Sequence, residues 1–227
     1  PEMRARAVLQ AIGSGERTFT AIRDRAGVSA KTLESTLASL AAKGVVDRAV
    51  PYSSEARPKL ARYHVADPYL RFWLRFLGPS IPALERGRGD IVIGRVRDAW
   101  QSFAGRAIEP LARAAIELLL PDPRFGGAAF VGGFWNRDGR VEVDLVGGRG
   151  EATSDVVDFV GSVKWRDRGE FGRADLGRLV EHRAHVPGVN AETRLVGVSR
   201  TGFSVQGLDV ELGADEIVAA FARPAGG

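Results

Sequence analysis

Cysteine is absent from the 227-residue chain, and histidine, lysine and long apolar runs are scarce. The absence of cysteine excludes disulfide bonds, thiolate metal sites and cysteine nucleophiles, and it is compatible with a reducing cytoplasm. With only three histidines, any metal is expected to be a hard cation held by carboxylates. No apolar run reaches the roughly 18 residues of a membrane span, and no signal peptide is visible, so we expect a cytoplasmic protein that does not enter a membrane.

Basic charge is concentrated in the first third of the chain. Residues 1–66 carry 11 Lys and Arg against 6 Asp and Glu, whereas residues 67–227 carry 21 against 22. The first third is therefore the better candidate for a surface that binds a polyanion such as DNA. An arginine-rich composition that places arginine on any tolerant surface would give the same counts without a binding role.

Three short helices and a hairpin are predicted at the start of the chain. Apolar spacing and helix-stopping glycines predict helices over 3–12, 19–26 and 30–43, with strands over 45–50 and 60–65. This order is typical of a winged helix-turn-helix, which we assign to residues 1–66. Its third helix would lie in a DNA major groove. The candidate contacts are Lys31, Thr32, Ser35 and Ser39 on the helix and Arg57 and Lys59 on the wing. The surface is only mildly basic, so a protein-docking or structural role stays open.

A connector and a second domain follow. Residues 67–92 are predicted to form an aromatic helix, capped by Asp67 and started by Pro68, and a linker. Residues 93–227 are predicted to form a mixed α/β domain, so the fold class is α+β. It would begin with a long helix over 95–120, in which Pro110 predicts a break or kink near Glu109. The predicted strands cover 128–135, 140–147, 156–164 and 193–199, and helices cover 172–186 and 214–222.

An acid and a lysine lie in two successive apolar strands. Asp144 is in the segment VEVDLV and Lys164 is in GSVKW, where charged side chains must be paired, solvated or bound to metal. If the strands pair, Asp144 and Lys164 meet at one edge of the sheet, and Glu109 on the preceding helix could add a carboxylate. Divalent-metal cleavage of phosphodiesters uses such groups, with Mg²⁺ or Mn²⁺ as the expected cofactor. The plain alternative is a cross-strand ion pair with no function.

Several segments carry a resemblance to a known family. The run from Arg62 to Phe76, RYHVADPYLRFWLRF, resembles the segment YxixDPflrFWfrF that follows the winged helix in archaeal-type ATPases of the AAA+/STAND group. The segments GRAIE at 105–109, VEVDLV at 141–146 and GSVKW at 161–165 resemble that family's C-terminal domain, which is similar to PD-(D/E)xK nucleases, including archaeal Holliday-junction resolvases. The resemblance extends from about residue 4 to residue 222.

The resemblance implies roles for particular residues. Glu109, Asp144 and Lys164 match the catalytic positions of the nuclease-like domain, with Glu109 and Asp144 as metal ligands. Ser162 stands where the family has an acid, which places metal binding and cleavage in doubt. The family also has a nucleotide-binding domain before the winged helix. This chain lacks the motif G-x-x-x-x-G-K-S/T, so we expect no ATP site here and an N-terminal ATPase domain as a partner in a longer parent protein.

The sequence thus supports one leading hypothesis and two alternatives. The leading hypothesis is a C-terminal region of an archaeal-type ATPase that binds nucleic acid or a partner, with a nuclease-like domain of doubtful activity. The first alternative is an active metal-dependent DNA nuclease in which Lys164 orients water. The second is a non-enzymatic regulatory module that docks another protein through the aromatic helix and the wing.

Overall fold

The computed structural model describes residues 2–52, 58–150 and 156–222. The chain divides into two compact units. Unit 1 comprises Pro1–Ala49 with Pro58–Trp100, and unit 2 comprises Val50–Arg57 with Gln101–Gly227. Unit 1 contains helices and a two-stranded sheet, and unit 2 contains helices and a five-stranded mixed sheet. The predicted α+β class is therefore confirmed.

Unit 1 begins with three helices whose ends are set by local sequence. They are α1 (Glu2–Ser14), α2 (Phe19–Ala26) and α3 (Ala30–Ala42). The Thr18 hydroxyl oxygen accepts from the Ala21 N–H and the Ser29 hydroxyl oxygen accepts from the Thr32 N–H, so each side chain caps a helix start. Gly27 ends α2 in the left-handed region at φ 64°, which glycine adopts without steric cost. The three predicted helices are confirmed.

A hairpin closes the core of unit 1. Strand β1 (Val46–Ala49) pairs antiparallel with β2 (Arg62–Val65), and Val46 lies opposite Val65. On α3, Leu33, Leu37 and Leu40 recur at helical spacing and are buried. They pack with buried side chains of α1, α2 and the hairpin: Val8, Ala11, Ile12, Ile22, Val46 and Val65.

The aromatic segment is helical, but it is not one regular helix. Helix α4 (Pro68–Phe72) begins as predicted, because the Asp67 carboxylate accepts from the Leu70 N–H at 2.5 Å. The chain then widens into a π-helical turn, Trp73–Leu77, and tightens into a 3₁₀ turn, Gly78–Ser80. The later part of residues 67–92, expected as a linker, instead contains helix α5 (Ile81–Glu85) and the start of the next helix.

The longest helix, α6 (Gly89–Leu119), continues through Pro110. Of the predicted break or kink near Glu109, the break does not occur, and the helix begins at Gly89 rather than Arg95. Proline in a helix interior costs about 3 kcal/mol. Burial of Ala112, Ala115 and Ile116 on the following turns offsets that cost, since all three are inaccessible to solvent. Within the described residues, no helix is both long and apolar enough to cross a bilayer.

Unit 2 is built on five strands in chain order. They are β3 (Phe130–Trp135), β4 (Glu142–Gly148), β5 (Val157–Lys164), β6 (Arg194–Ser199) and β7 (Val210–Leu212). The β3–β4 and β4–β5 pairs are antiparallel, whereas β5–β6 and β6–β7 are parallel. The connection from β5 to β6 contains helix α7 (Arg173–Arg183). Residues 157–163 of β5 are all buried, as expected for a strand covered on both faces.

Helices cover the two faces of this sheet. Helix α6 and the last helix, α8 (Ala214–Ala222), pack on one face against Leu145, Phe159 and Val196. Helix α7 packs on the other face, where Leu179 belongs to a cluster with Val146 and Val160. The result is a three-layer arrangement with the sheet in the middle.

Tyr52, a residue of unit 2, is buried against glycines of the sheet. Its side chain is inaccessible to solvent, its N–H donates to the Gly133 carbonyl at 2.7 Å, and its ring stacks on Phe130 at 6.0 Å between centroids. A Cβ at Gly148 would overlap the Tyr52 hydroxyl oxygen and lie 2.9 Å from the Val156 carbonyl oxygen. Glycine at 148 is thus required by the close approach of Tyr52.

We predict that Gly148→Ala lowers the free energy of unfolding of unit 2 by about 1–3 kcal/mol, the range found for overpacked cores. Urea denaturation followed by circular dichroism measures the change. Gly177→Ala is the matched control, because a Cβ at this position in α7 meets no atom within 4 Å, so that variant should unfold at the same or higher urea concentration. Equal stability of Gly148→Ala and the wild-type protein would contradict the packing described for Tyr52.

Candidate functional site

The site is formed around a β-bulge in β4. Gly132 pairs with Val146 while Phe134 pairs with Val143, so Asp144 and Leu145 together lie opposite Gly133. Bulges of this kind redirect side chains and are frequent beside active sites. At the bulge, the carbonyl oxygen of Asp144 accepts a hydrogen bond from Arg113 Nε of α6 at 2.8 Å.

The carboxylate of Asp144 is held by its neighbours on β5. Its Oδ2 accepts from the Ser162 hydroxyl at 2.9 Å and from the Val163 N–H at 2.8 Å. The ammonium of Lys164 lies 4.0 Å from the same oxygen. Oδ2 of Asp144 therefore accepts two hydrogen bonds and lies close to one cation. We call Asp144, Ser162, Val163 and Lys164 the Asp144 network.

Ser162 is the bridge between the acid and the lysine. Its hydroxyl donates to Asp144 and accepts from Lys164 Nζ at 2.7 Å, and its side chain is buried. Asp144 and Lys164 keep only 17% and 20% of their side-chain surface exposed, so their charges are largely shielded from water. A hydroxyl that accepts from one ion and donates to the other satisfies both without adding a charge.

Glu109 is placed beside Arg113 and not within the Asp144 network. Its carboxylate lies 4.0 Å from the Arg113 guanidinium, one turn further along α6. Arg113 in turn reaches the backbone of Asp144. The structure thus brings Asp144 and Lys164 together as expected, and Arg113 lies between Glu109 and the backbone of Asp144. A Cβ at Gly133 would lie 2.8 Å from an Arg113 nitrogen, so the small residue there leaves room for the guanidinium.

A second ion pair borders Lys164 at the start of α7. Arg166 donates two hydrogen bonds to the Asp175 carboxylate, at 3.0 and 2.6 Å, and the Gly172 N–H donates to it at 3.1 Å. Burial alone would raise the pKa of Asp175. The hydrogen bonds from Arg166 and Gly172, together with the charges of Arg166 and Lys164, outweigh burial and hold the pKa of Asp175 below its ordinary value.

The described residues do not form a cluster of metal-ligating side chains around Asp144. Mg²⁺ in proteins is held by oxygen ligands, often one or two carboxylates together with waters and substrate phosphates. Over the described ranges, no three Asp, Glu or His side chains lie close enough together to hold a metal ion. The two carboxylates expected as ligands, Glu109 and Asp144, each face a cation of the protein instead.

Of the residues predicted to contact nucleic acid, all but Arg57 belong to unit 1. Lys31, Ser35 and Lys59 are exposed, while Thr32 is half-buried beside the Ser29 cap. The Ser35 hydroxyl donates to the Thr32 carbonyl at 3.0 Å. Glu34, also exposed on α3, offsets the charge of Lys31. Arg57 falls outside the described residues.

Some residues of the site could not be found from the sequence. Arg113 contacts the backbone of Asp144, and no pattern of residue types marks a backbone contact. Arg166 lies two residues after Lys164, and Asp175 lies three residues after Gly172, the N-cap of α7. An acid three residues after an N-cap is a signal for helix capping, and this signal could have pointed to Asp175.

Comparison with known proteins finds a family model that matches part of the chain, and it gives no activity. The family DUF234, described as archaea bacterial proteins of unknown function, matches residues 73–175. This stretch includes Glu109, Asp144, Ser162, Lys164 and Asp175. An uncharacterized protein of Methanocaldococcus jannaschii is 25% identical over 164 residues, which are 70% of this chain and 35% of the relative. The chain thus spans about a third of the length of that curated relative. No solved structure matches the chain.

We predict that Asp175 contributes stability that is lost in acid. Because its folded-state pKa is below the unfolded value of about 3.9, the contribution is present above that value and declines as the pH falls through the folded pKa. Between about pH 6 and pH 3, the free energy of unfolding of Asp175→Asn should therefore fall less steeply than that of the wild-type protein. Urea titrations across this range measure the slopes.

Arg166→Gln is the control for the cause of the effect. It removes the main hydrogen-bond donor to Asp175, so it should flatten the same slope in part. In the Asp175→Asn background, Arg166→Gln should then change this slope little further. Parallel slopes for Asp175→Asn and the wild-type protein would show that the Arg166 contact does not govern this titration.

Proposed function

We propose that the chain is a nucleic-acid-binding region of a longer protein. In this proposal residues 1–66 act as a winged helix, and residues 93–227 act as a PD-(D/E)xK nuclease-like domain that does not cleave. The observation that carries the proposal is the state of the Asp144 carboxylate. Its Oδ2 already accepts from Ser162 and Val163, so protein donors engage one of the two oxygens that a nuclease would offer to a metal.

The surroundings of Glu109 support the absence of cleavage. Metal-dependent cleavage needs carboxylates that converge on one cation, which stabilises developing charge and lowers the pKa of bound water. Glu109 lies by Arg113, and Ser162 supplies a neutral hydroxyl where a further carboxylate would be required. The pair formed by Asp144 and Lys164 then serves to hold the ends of β4 and β5 together.

The charge distribution supports nucleic-acid binding by the first part of the chain. Residues 1–66 hold a net charge of +5, with 11 Lys and Arg against 6 Asp and Glu. Lys31 near the start of α3 and Lys59 before β2 are exposed and available to phosphates. The resemblance to archaeal-type ATPases adds an ATPase domain as the N-terminal partner of this region in the parent protein.

We predict that the wild-type chain does not cut branched or single-stranded DNA in the presence of Mn²⁺. Gel electrophoresis of labelled DNA gives the readout, with Lys164→Ala as the matched variant. Mn²⁺ should also leave the melting temperature unchanged, since a ligand stabilises a fold only when it binds the native state. Mn²⁺-dependent cleavage that Lys164→Ala abolishes would instead establish the active-nuclease alternative.

We predict that duplex DNA binds with an affinity that falls as salt rises, because phosphate contacts release counterions. Replacing Lys31 and Lys59 together with alanine should weaken binding and reduce the slope of log K against log salt by about 1 per lost contact. Fluorescence anisotropy measures both quantities. Lys43→Ala, which removes an exposed lysine at the end of α3, is the control and should change binding less. Absence of salt-dependent binding would favour the protein-docking alternative.

A further inference from the structure

An open groove of about 620 Å³ lies in unit 1 between α3 and the hairpin. Its lining includes Leu37, Ala38 and Ala41 of α3, with Ala61 and Tyr63 from the hairpin side. Phe19 of α2 also lines the groove. This volume is within the range of about 300–1,000 Å³ that is typical of ligand pockets. We call it the α3–hairpin groove.

The groove is hollow because α3 presents small residues there. Ala38 and Ala41 are exposed, and their methyl groups leave open the space that longer side chains would fill. The floor is fixed, since Leu37 is 4% exposed within the core of unit 1 and Ala61 is 6% exposed. A floor that belongs to a packed core does not collapse when the groove is empty, so the groove is preformed.

The rim of the groove is charged, with an excess of positive charge. Arg48 of β1 and Lys59 line it together with one acid, Glu34 of α3. All three side chains are exposed. An occupant that matches this surface presents apolar side chains to the floor and carboxylates to Arg48 and Lys59.

We propose that the α3–hairpin groove binds an acidic amphipathic segment of a partner protein. The apolar side chains of that segment enter the space over Leu37, Ala38 and Ala41, in the manner of a helix in a groove. Its acidic residues lie beside Arg48 and Lys59. A DNA backbone matches the rim but has no apolar side chain for the floor, so the lining favours a protein segment over nucleic acid. This proposal does not depend on DNA binding by α3.

The test is a titration of the full chain with three short synthetic helical peptides. The first carries leucine and tryptophan on one face flanked by glutamate, the second has lysine in place of glutamate, and the third has serine in place of the apolar residues. We expect only the first to shift the NMR methyl signals of Leu37, Ala38 and Ala41. Lys59→Glu should weaken the binding of the first peptide by about tenfold, because it replaces an attractive contact with the peptide's glutamates by a repulsive one.

Two tryptophan variants distinguish binding in the groove from non-specific association with exposed apolar surface. Ala41→Trp fills the groove and should reduce binding of the first peptide by more than about tenfold. Ala42→Trp adds the same side chain at an exposed neighbouring position that does not line the groove, and it should leave binding unchanged. Circular dichroism checks that both variants remain folded.

Several outcomes would overturn the proposal. Equal binding of the serine peptide would show attraction by charge alone, and equal binding of the lysine peptide would show that the rim does not select acidic partners. Equal effects of Ala41→Trp and Ala42→Trp would place the peptide elsewhere. If a short DNA duplex, and none of the peptides, shifts the three methyl signals, the groove belongs to the nucleic-acid surface.

Discussion

A carboxylate placed inside a sheet must find donors, and the arrangement of unit 2 around Asp144 meets that requirement. Left without partners at 17% exposure, this charge would be costly. The bulge in β4, the hydroxyl of Ser162 and the N–H of Val163 supply what it needs, and Arg113 satisfies the carbonyl of the same residue. The junction of β4, β5 and α6 is therefore held by polar contacts, while apolar packing fills the rest of the unit.

The same contacts connect the acid to the lysine. Asp144 and Lys164 meet across adjacent strands, and Ser162 forms a hydrogen-bonded bridge between them. The surfaces proposed to bind nucleic acid and a protein segment lie on unit 1, which contains Lys31, Lys59 and the α3–hairpin groove.

The sequence predicted those features that depend on neighbouring residues. Ser29, Gly27 and Asp67 set helix ends through contacts within a few positions, so the helices of unit 1 were predictable. The convergence of Asp144 and Lys164 followed from adjacent strands. The course of α6 through Pro110, the bulge opposite Gly133 and the burial of Tyr52 depend on partners distant in the chain, and local patterns do not report them. The contact between Arg113 and the backbone of Asp144 also joins residues distant in the chain, so local patterns did not predict it.

The strand order also has a kinetic consequence. Strands β3, β4 and β5 are consecutive antiparallel neighbours, whereas β6 can join β5 only after the chain has passed through α7. Closing a shorter loop costs less conformational entropy, so we expect the antiparallel half of the sheet to form first during folding. Asp144 and Ser162 would then meet before α7 brings Asp175 to Arg166.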